Sequence, residues 1–352
     1  MSRFFSMEKF AYLTPYTPGE QPQDRKYIKL NTNESPFPPS PGVIAAVSEE
    51  AEDLQLYSDP RSRKITEAIA AYHALSPEQI LVANGSDETL NFAFMAFCDS
   101  ETPVIFPDIS YGFYPVLAAL HQIPSVEIPL REDLTLQVED YFHKKGMIVI
   151  ANPNAPTGLA RSPAELEQIL KESPEALLVV DEAYVDFGGE SMVPYVDKYD
   201  NLLVIRTFSK SFSLAGGRLG YAVGDPSLIQ DLDILKYSTN PYNVNRMTSA
   251  AGCAALREAE YYRKNCRTIE ENRSWTTDAL RDLGFSVLDS RANFLFARSD
   301  RIPGESLYLK LKEKGILVRH FPKERIRDYV RITIGNREQM EAMIAAVKEI
   351  LA

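Results

Sequence analysis

Two rhythms alternate along residues 60 to 240. Short runs such as QILVAN (79–84), PVIF (103–106), SVEIPL (125–130), GMIVIA (146–151), ALLVVD (176–181) and NLLVIRT (201–207) are dominated by apolar residues. Runs of that length predict strands buried on both faces. Between them ITEAIAAYHAL (65–75), DETLNFAFMAFC (87–98) and YGFYPVLAALH (111–121) read as helices. SPAELEQIL (162–170) opens a further helix, with Ser162 as cap, Pro163 in the first turn and Glu165 able to reach back. The alternation predicts an α/β domain whose mainly parallel sheet is covered by helices.

Further along, the rhythm changes. Residues 248–283 carry one glycine, no proline and many charges, which predicts one long helix. FSVLDSRANFLFAR (285–298), ILVRHF (316–321) and YVRITIG (329–335) then show strand character of period two, with helices between and after. This predicts a second, smaller α+β domain. Upstream, residues 12–42 are rich in proline, so they are extended and form neither helix nor central strand. Tyr12, Tyr16, Tyr27, Ile28, Leu30 and Phe37 make this segment too apolar for a solvated tail. It reads as an ordered arm lying on another surface.

A chain of 352 residues has room for two domains. Its net charge of -11 argues against nonspecific binding to nucleic acid or to anionic membranes. Any bound anion must therefore be met by local basic groups. The four histidines are scattered, so no metal is assigned. Cys98, Cys253 and Cys266 show no disulfide spacing and read as buried free thiols, which suits a reducing compartment and hence the cytoplasm. The N-terminus lacks the apolar run of a signal peptide, and no stretch of about 18 apolar residues predicts a membrane span.

Four polar stretches follow predicted strands. GSDE (85–88) follows ILVAN and starts a helix, whose free N–H groups can bind an anion or simply be capped by Ser86. NPNAPTG (152–158) is a rigid turn that either connects or presents an asparagine amide. In DEAY (181–184), Asp181 can hold a cationic nitrogen or cap a turn, and Tyr184 can donate a hydrogen bond beside it. TFSKSFSLAGGRLG (207–220) sets Lys210 among small residues, where an amine can form an imine with a carbonyl. Ser209 and Arg218 can hold an anion there, with Gly216 and Gly217 permitting close approach. An aldehyde, a ring nitrogen, a phenolic oxygen and a phosphate coexist in pyridoxal 5′-phosphate.

GSDE, NPNAPTG, DEAY and SKSFSLAGGRLG, in this order, resemble the fold-type I aminotransferases, which use that cofactor. The flanks LNTNESPFPPSP (30–41), YSDP (57–60), PYNVN (241–245), GILVRHF (315–321) and DYVRITIGN (328–336) resemble the histidinol-phosphate branch of that family. The resemblance implies an arm over 1–36 packing on the small domain and a partner subunit, a large cofactor-binding domain over 37–245 and a small domain over 246–352. It implies a homodimer acting on small molecules. Lys210 would carry the cofactor and shuttle the proton, Asp181 would pair with the ring nitrogen, and Tyr184 with Asn154 would meet the phenolic oxygen. Many members have two adjacent asparagines here; Ala155 takes the second place, leaving Asn152 as the alternative to Asn154. Tyr111 would stack on the ring. Gly85, Ser86, Asp87, Ser209 and Arg218 would hold the phosphate, joined by Tyr57 from the neighbouring subunit. Tyr16, Asn33, Arg319 and Arg331 would bind substrate. The expected reaction is transamination between histidinol phosphate and 2-oxoglutarate or glutamate. An aromatic amino-acid aminotransferase and a threonine-phosphate decarboxylase share the scaffold.

Overall fold

The computed structural model describes Ser6 and residues 9–352. Part of the N-terminal stretch read above for a leader and for the arm, residues 1–5, 7 and 8, lies outside the described residues. Strand β1 (Ile28–Lys29) precedes helices α1 (Pro41–Glu50) and α2 (Arg63–His73). Strands and helices then alternate as β2 (Ile80–Ala83), α3 (Ser86–Phe97), β3 (Val104–Pro107), α4 (Tyr114–His121), β4 (Ser125–Ile128) and β5 (Gly146–Ala151). They continue as α5 (Pro163–Glu172), β6 (Ala176–Asp181), β7 (Leu202–Thr207), β8 (Gly220–Gly224) and α6 (Pro226–Thr239).

Strands β2 to β8 form one sheet in the order β2-β8-β7-β6-β5-β3-β4. All neighbours run parallel except β8, which is antiparallel to both β2 and β7. Successive residues of one strand enter two different cores. Ile148, Ile150, Val180 and Val204 pack on one face, and Met147, Val149, Val179 and Leu203 on the other. Burial of both faces is why the inner strands read as unbroken apolar runs; the edge strand β4, expected to be buried like them, exposes Ser125, Val126 and Glu127. The capping box of α5 forms as expected: the Ser162 side chain accepts from the Glu165 N–H, and Glu165 Oε2 accepts from the Ser162 N–H at 2.8 Å.

The long helix expected over 248–283 is two helices, α7 (Arg246–Arg257) and α8 (Ala259–Asp282). The break falls at Glu258 (φ -104°, ψ 29°), neither glycine nor proline. Gly42 of α1 packs against Glu258, so closely that a Cβ on Gly42 would lie 2.7 Å from the carboxylate. Helix α4 begins at Tyr114, three residues later than the pattern predicts, because Pro115 suits the first turn. That leaves Tyr111 in the preceding loop. Of the three thiols only Cys266 is buried; Cys98 and Cys253 are half-buried, and all are free. Among the described residues no helix is long and apolar enough to cross a membrane.

After α8 come β9 (Phe285–Val287), β10 (Phe294–Ser299), α9 (Gly304–Glu313), β11 (Ile316–Leu317), β12 (Arg319–His320), β13 (Tyr329–Thr333) and α10 (Arg337–Leu351). Here the sheet is antiparallel, in the order β12-β13-β10-β9. The arm joins this part of the molecule: β1 pairs in parallel with β11, and Leu30 is 1 % exposed.

Candidate active site

The C-terminal ends of parallel strands meet at one edge of a sheet, and ligands of α/β proteins bind there. Strand β6 ends on Asp181, β7 leads to Ser209 and Lys210, and β2 leads to Gly85 and Ser86. Because β8 runs the other way, its start, Gly220, pairs with both Ala83 and Thr207 and brings Arg218 to the same edge. The start of α3 sits directly on β8: a Cβ at Gly220 would lie 2.3 Å from the Ser86 nitrogen. Gly85 (φ +87°) leaves equal room for Arg218, since a Cβ there would fall 2.5 Å from Nη2. These two glycines make the close approach. At Gly216, singled out in the sequence, a Cβ would face open space, and at Gly217 it would meet Leu214.

The cleft at this edge is a cavity of about 210 Å³ lined by Asn33, Ser86, Asp87, Tyr111, Asp181, Tyr184, Ser209, Lys210, Arg218 and Arg331 among others. Asp181 is buried at its floor. Tyr114 Oη donates to its Oδ2 at 2.8 Å and the Ala183 N–H to its Oδ1 at 3.2 Å. Burial nevertheless pushes its carboxyl up to about 6, so it is ready for a cationic partner. Burial, and then the Arg331 charge, bring the Lys210 ammonium down to about 8. Its Nζ lies 6.0 Å from the centre of the Tyr184 ring. Asp87 accepts from Tyr111 Oη (2.9 Å) and Arg218 Nη2 (3.1 Å), so one carboxylate fixes both neighbours.

The opposite wall comes from the arm and the smaller sheet. Arg331 on β13 donates from Nη2 to the Asn31 carbonyl at 3.1 Å, while its buried Nε has no partner among the described residues. A buried guanidinium with a free donor is a binding site for an anion. Arg319 on β12 donates to the Pro18 and Thr17 carbonyls at 2.9 and 2.8 Å. It thereby holds the arm, whose Tyr16 packs edge-on to Tyr111 at 5.9 Å. Beyond Tyr16, Tyr111, Ala155 and the two arginines the cleft opens into an outer chamber of about 690 Å³.

The class I and II aminotransferase family model matches residues 25–347. The chain belongs to this aminotransferase family. It is 46 % identical over 349 residues to the histidinol-phosphate aminotransferase of Brachyspira hyodysenteriae, covering 99 % of each chain. Against histidinol-phosphate aminotransferase 1 of Pseudomonas fluorescens it is 46 % identical over 351 residues, covering 99 % of this chain and 100 % of the relative. Among solved structures, the Sinorhizobium meliloti histidinol-phosphate aminotransferase in complex with pyridoxal-5′-phosphate superposes with a TM-score of 0.85 at 25 % identity. That match covers 93 % of this chain and 92 % of the other. Enzymes of this family use pyridoxal phosphate.

For an aminotransferase the donor set fits that cofactor. A buried carboxylate, a depressed lysine and a helix start with a serine and an arginine occur along one rim, and Gly85 and Gly220 clear the approach. Two residues assigned by resemblance are not brought to it. Asn154 turns away: its Nδ2 donates to the Ile109 carbonyl (3.1 Å) and Thr157 Oγ1 (3.0 Å), and it lines a separate cavity of about 90 Å³. The alternative, Asn152, spends its amide on the Arg161 backbone. From this loop the cleft receives Ala155, which has no polar group to offer. Tyr57 is 80 % exposed and stacks on Tyr242 at 4.6 Å, outside its own chain's cleft.

Other residues of this aminotransferase site were not singled out in the sequence. Tyr114 is one; the second tyrosine of YGFY, next to a helix start, was the available signal. A buried cluster behind the rim is another. Arg206 on β7 meets Asp186 at 2.5 Å and Glu182 at 3.7 Å, and Ser211 Oγ donates to Asp186 at 2.6 Å. Burial raises the Asp186 carboxyl, but Arg206 and Ser211 outweigh it and hold it below its ordinary value. The cluster ties the residue after Lys210 to the turn that follows Tyr184. Its four members fall in two stretches, 182–186 and 206–211, which come together because β6 and β7 are neighbours.

Proposed function

We propose that this aminotransferase moves an amino group between histidinol phosphate and 2-oxoglutarate or glutamate, in histidine biosynthesis. The observation that carries the substrate is the full-length similarity, 46 % identity, to relatives that bear that name. The free Nε of Arg331 supports an anionic substrate end, and Arg319 stands beside it with a second guanidinium. A dianionic phosphate offers enough oxygens for both.

Pyridoxal phosphate, when bound, supplies an aldehyde that carries the amino group and a ring that accepts an electron pair. The chain supplies the rest. Lys210 Nζ holds the cofactor and moves the proton at the reacting carbon; burial in the cleft keeps it nearer to neutrality than an ordinary lysine. Asp181 stabilises the protonated ring nitrogen. Ser86, Asp87 N–H, Ser209 and Arg218 take the phosphate. Tyr111, fixed by Asp87, lies against the ring, and Tyr184 donates to the ring oxygen. Tyr16, tethered through Arg319, excludes water from above.

The same reading makes the working unit a homodimer, in the cytoplasm, where the three free thiols would persist. Tyr57, Leu54 and Leu56 are exposed together, an apolar patch that suits a second copy. Tyr57 then serves the partner's site. Mixing Lys210→Ala with Tyr57→Ala subunits tests this: reassortment at equal amounts makes about half the dimers mixed, with one intact site each, so activity returns to about a quarter of wild type. No recovery despite confirmed exchange would end that assignment. For the reaction itself, the purified enzyme is given histidinol phosphate with 2-oxoglutarate and, separately, threonine phosphate. Glutamate formed in the first reaction and no carbon dioxide in the second is the expected result; the reverse would make it a decarboxylase.

A further inference from the structure

Asn33 sits at φ +57°, in the left-handed region that few residues other than glycine adopt, and it is 1 % exposed. Four hydrogen bonds account for all its polar groups. Its N–H donates to Thr333 Oγ1 at 3.0 Å, and its carbonyl accepts from Asn293 Nδ2 at 2.9 Å. Its Oδ1 accepts from Thr333 Oγ1 at 3.0 Å, and its Nδ2 donates to Tyr184 Oη at 2.9 Å. Both ends of the amide thus have partners inside the protein, and Nδ2 keeps a second proton on the wall of the cleft.

We propose that Asn33 and Thr333 are positioning residues: they hold the Tyr184 hydroxyl as an acceptor, so that its proton is directed at the ring oxygen of the cofactor. A phenol that accepts from an amide still has one proton to give. Among the described residues nothing accepts it. Burial raises the phenol above its ordinary range, so the proton stays on. The ring itself is fixed edge-on to Phe294 at 5.0 Å. Of the three residues that the sequence offered to the ring oxygen, Asn152 and Asn154 turn their amide nitrogens to partners elsewhere, and Ala155 replaces a polar neighbour. Tyr184 alone has a donor to give, which puts a premium on its direction. Thr333 lies two residues from Arg331 on β13. The strand that carries the substrate's anion site therefore also carries the anchor of the cofactor's donor.

The inference rests on Tyr184 facing the ring oxygen, as read above, and the test separates the two. The absorbance of the cofactor-loaded, substrate-free enzyme is titrated with pH. A donor to the ring oxygen stabilises the deprotonated chromophore, so losing it raises the midpoint. Tyr184→Phe should raise it by about one pH unit, the worth of one good hydrogen bond. Asn33→Ala should raise it by part of that in the wild-type background and by nothing in the Tyr184→Phe background. Thr333→Val should act in the same direction and Thr333→Ser should restore the midpoint; this pair decides the matter if Asn33→Ala does not fold. A lower melting temperature with an unmoved midpoint in Asn33→Ala and Thr333→Val would reduce both residues to packing. A downward shift would mean that Tyr184 donates to Asn33, and would overturn the proposal. No shift in Tyr184→Phe would remove Tyr184 from the ring oxygen and the proposal with it.

Discussion

The two walls of the cleft are built in different ways. One wall consists of strand ends from one sheet: Asp181, Lys210, Ser86 and Arg218 stand at the ends of neighbouring strands whose pairing fixes their spacing. The other wall joins chain ends. Arg319 bonds Pro18, Arg331 bonds Asn31 and Thr333 bonds Asn33, each pair about 300 positions apart. The first wall is rigid because a doubly covered sheet cannot shift one strand end alone. The second is held by a few hydrogen bonds to the arm, and can loosen without unfolding the core. The contrast suits an enzyme that keeps one ligand and exchanges another.

Changes on the first wall should cost most. Lys210→Ala should abolish turnover. Borohydride reduction of the loaded wild type should leave a stable adduct that peptide mapping finds on Lys210; an adduct on another lysine would sink the assignment. Next comes Asp181→Asn, with kcat down on the order of 10²- to 10³-fold. Its stability should move the other way. The unfolded carboxyl titrates near its ordinary 3.8 and the folded one at about 6. The unfolded chain therefore binds fewer protons between these values, and stability falls as pH rises through that window. In the cofactor-free protein, Asp181→Asn should melt higher than wild type at pH 8 and equally at pH 4. Near-normal turnover would reduce Asp181 to a turn residue.

On the second wall the losses should be smaller and substrate-dependent. Arg331→Ala should lower kcat/KM for every donor by roughly 10²-fold, the scale of a lost charged hydrogen bond. Arg319→Ala should cost about 10-fold for phosphorylated donors and less for glutamate, because a carboxylate has fewer oxygens to share. It should also expose the arm, whose Thr17 and Pro18 carbonyls lose their donor, to faster hydrogen exchange. Equal losses for both donors, with an unchanged arm, would erase the difference between the walls.

The first wall was also the more legible one. ALLVVD and NLLVIRT end in polar residues after unbroken apolar runs, so Asp181 and Lys210 could be placed at strand ends from local pattern alone. Strand β8 leaves no such mark, because GYAVG is short, bounded by glycines and follows a turn-rich stretch. The break at Glu258 carries no local mark, since neither glycine nor proline stands there. Nor does sequence fix which way an amide turns. Asn154 and Asn33 are both asparagines in loops; one faces a side cavity and the other supports Tyr184, and only tertiary partners decide it.

The stretch between β7 and β8, residues 208–219, carries both Lys210 and Arg218. Its base is closed by the pairing of Thr207 with Gly220, and it is stitched from Phe208 N–H to the Leu219 carbonyl (2.9 Å) and from Gly217 N–H to the Leu214 carbonyl (3.0 Å). On the function proposed above, one loop would grip the same small molecule at its aldehyde and at its phosphate. It works as a calliper whose jaws are set by the number of residues between them. A surface loop ordinarily absorbs an inserted residue at little cost, but here every insertion or deletion changes the gauge, and a library of length variants should lose the cofactor at each step while the sheet beneath stays folded.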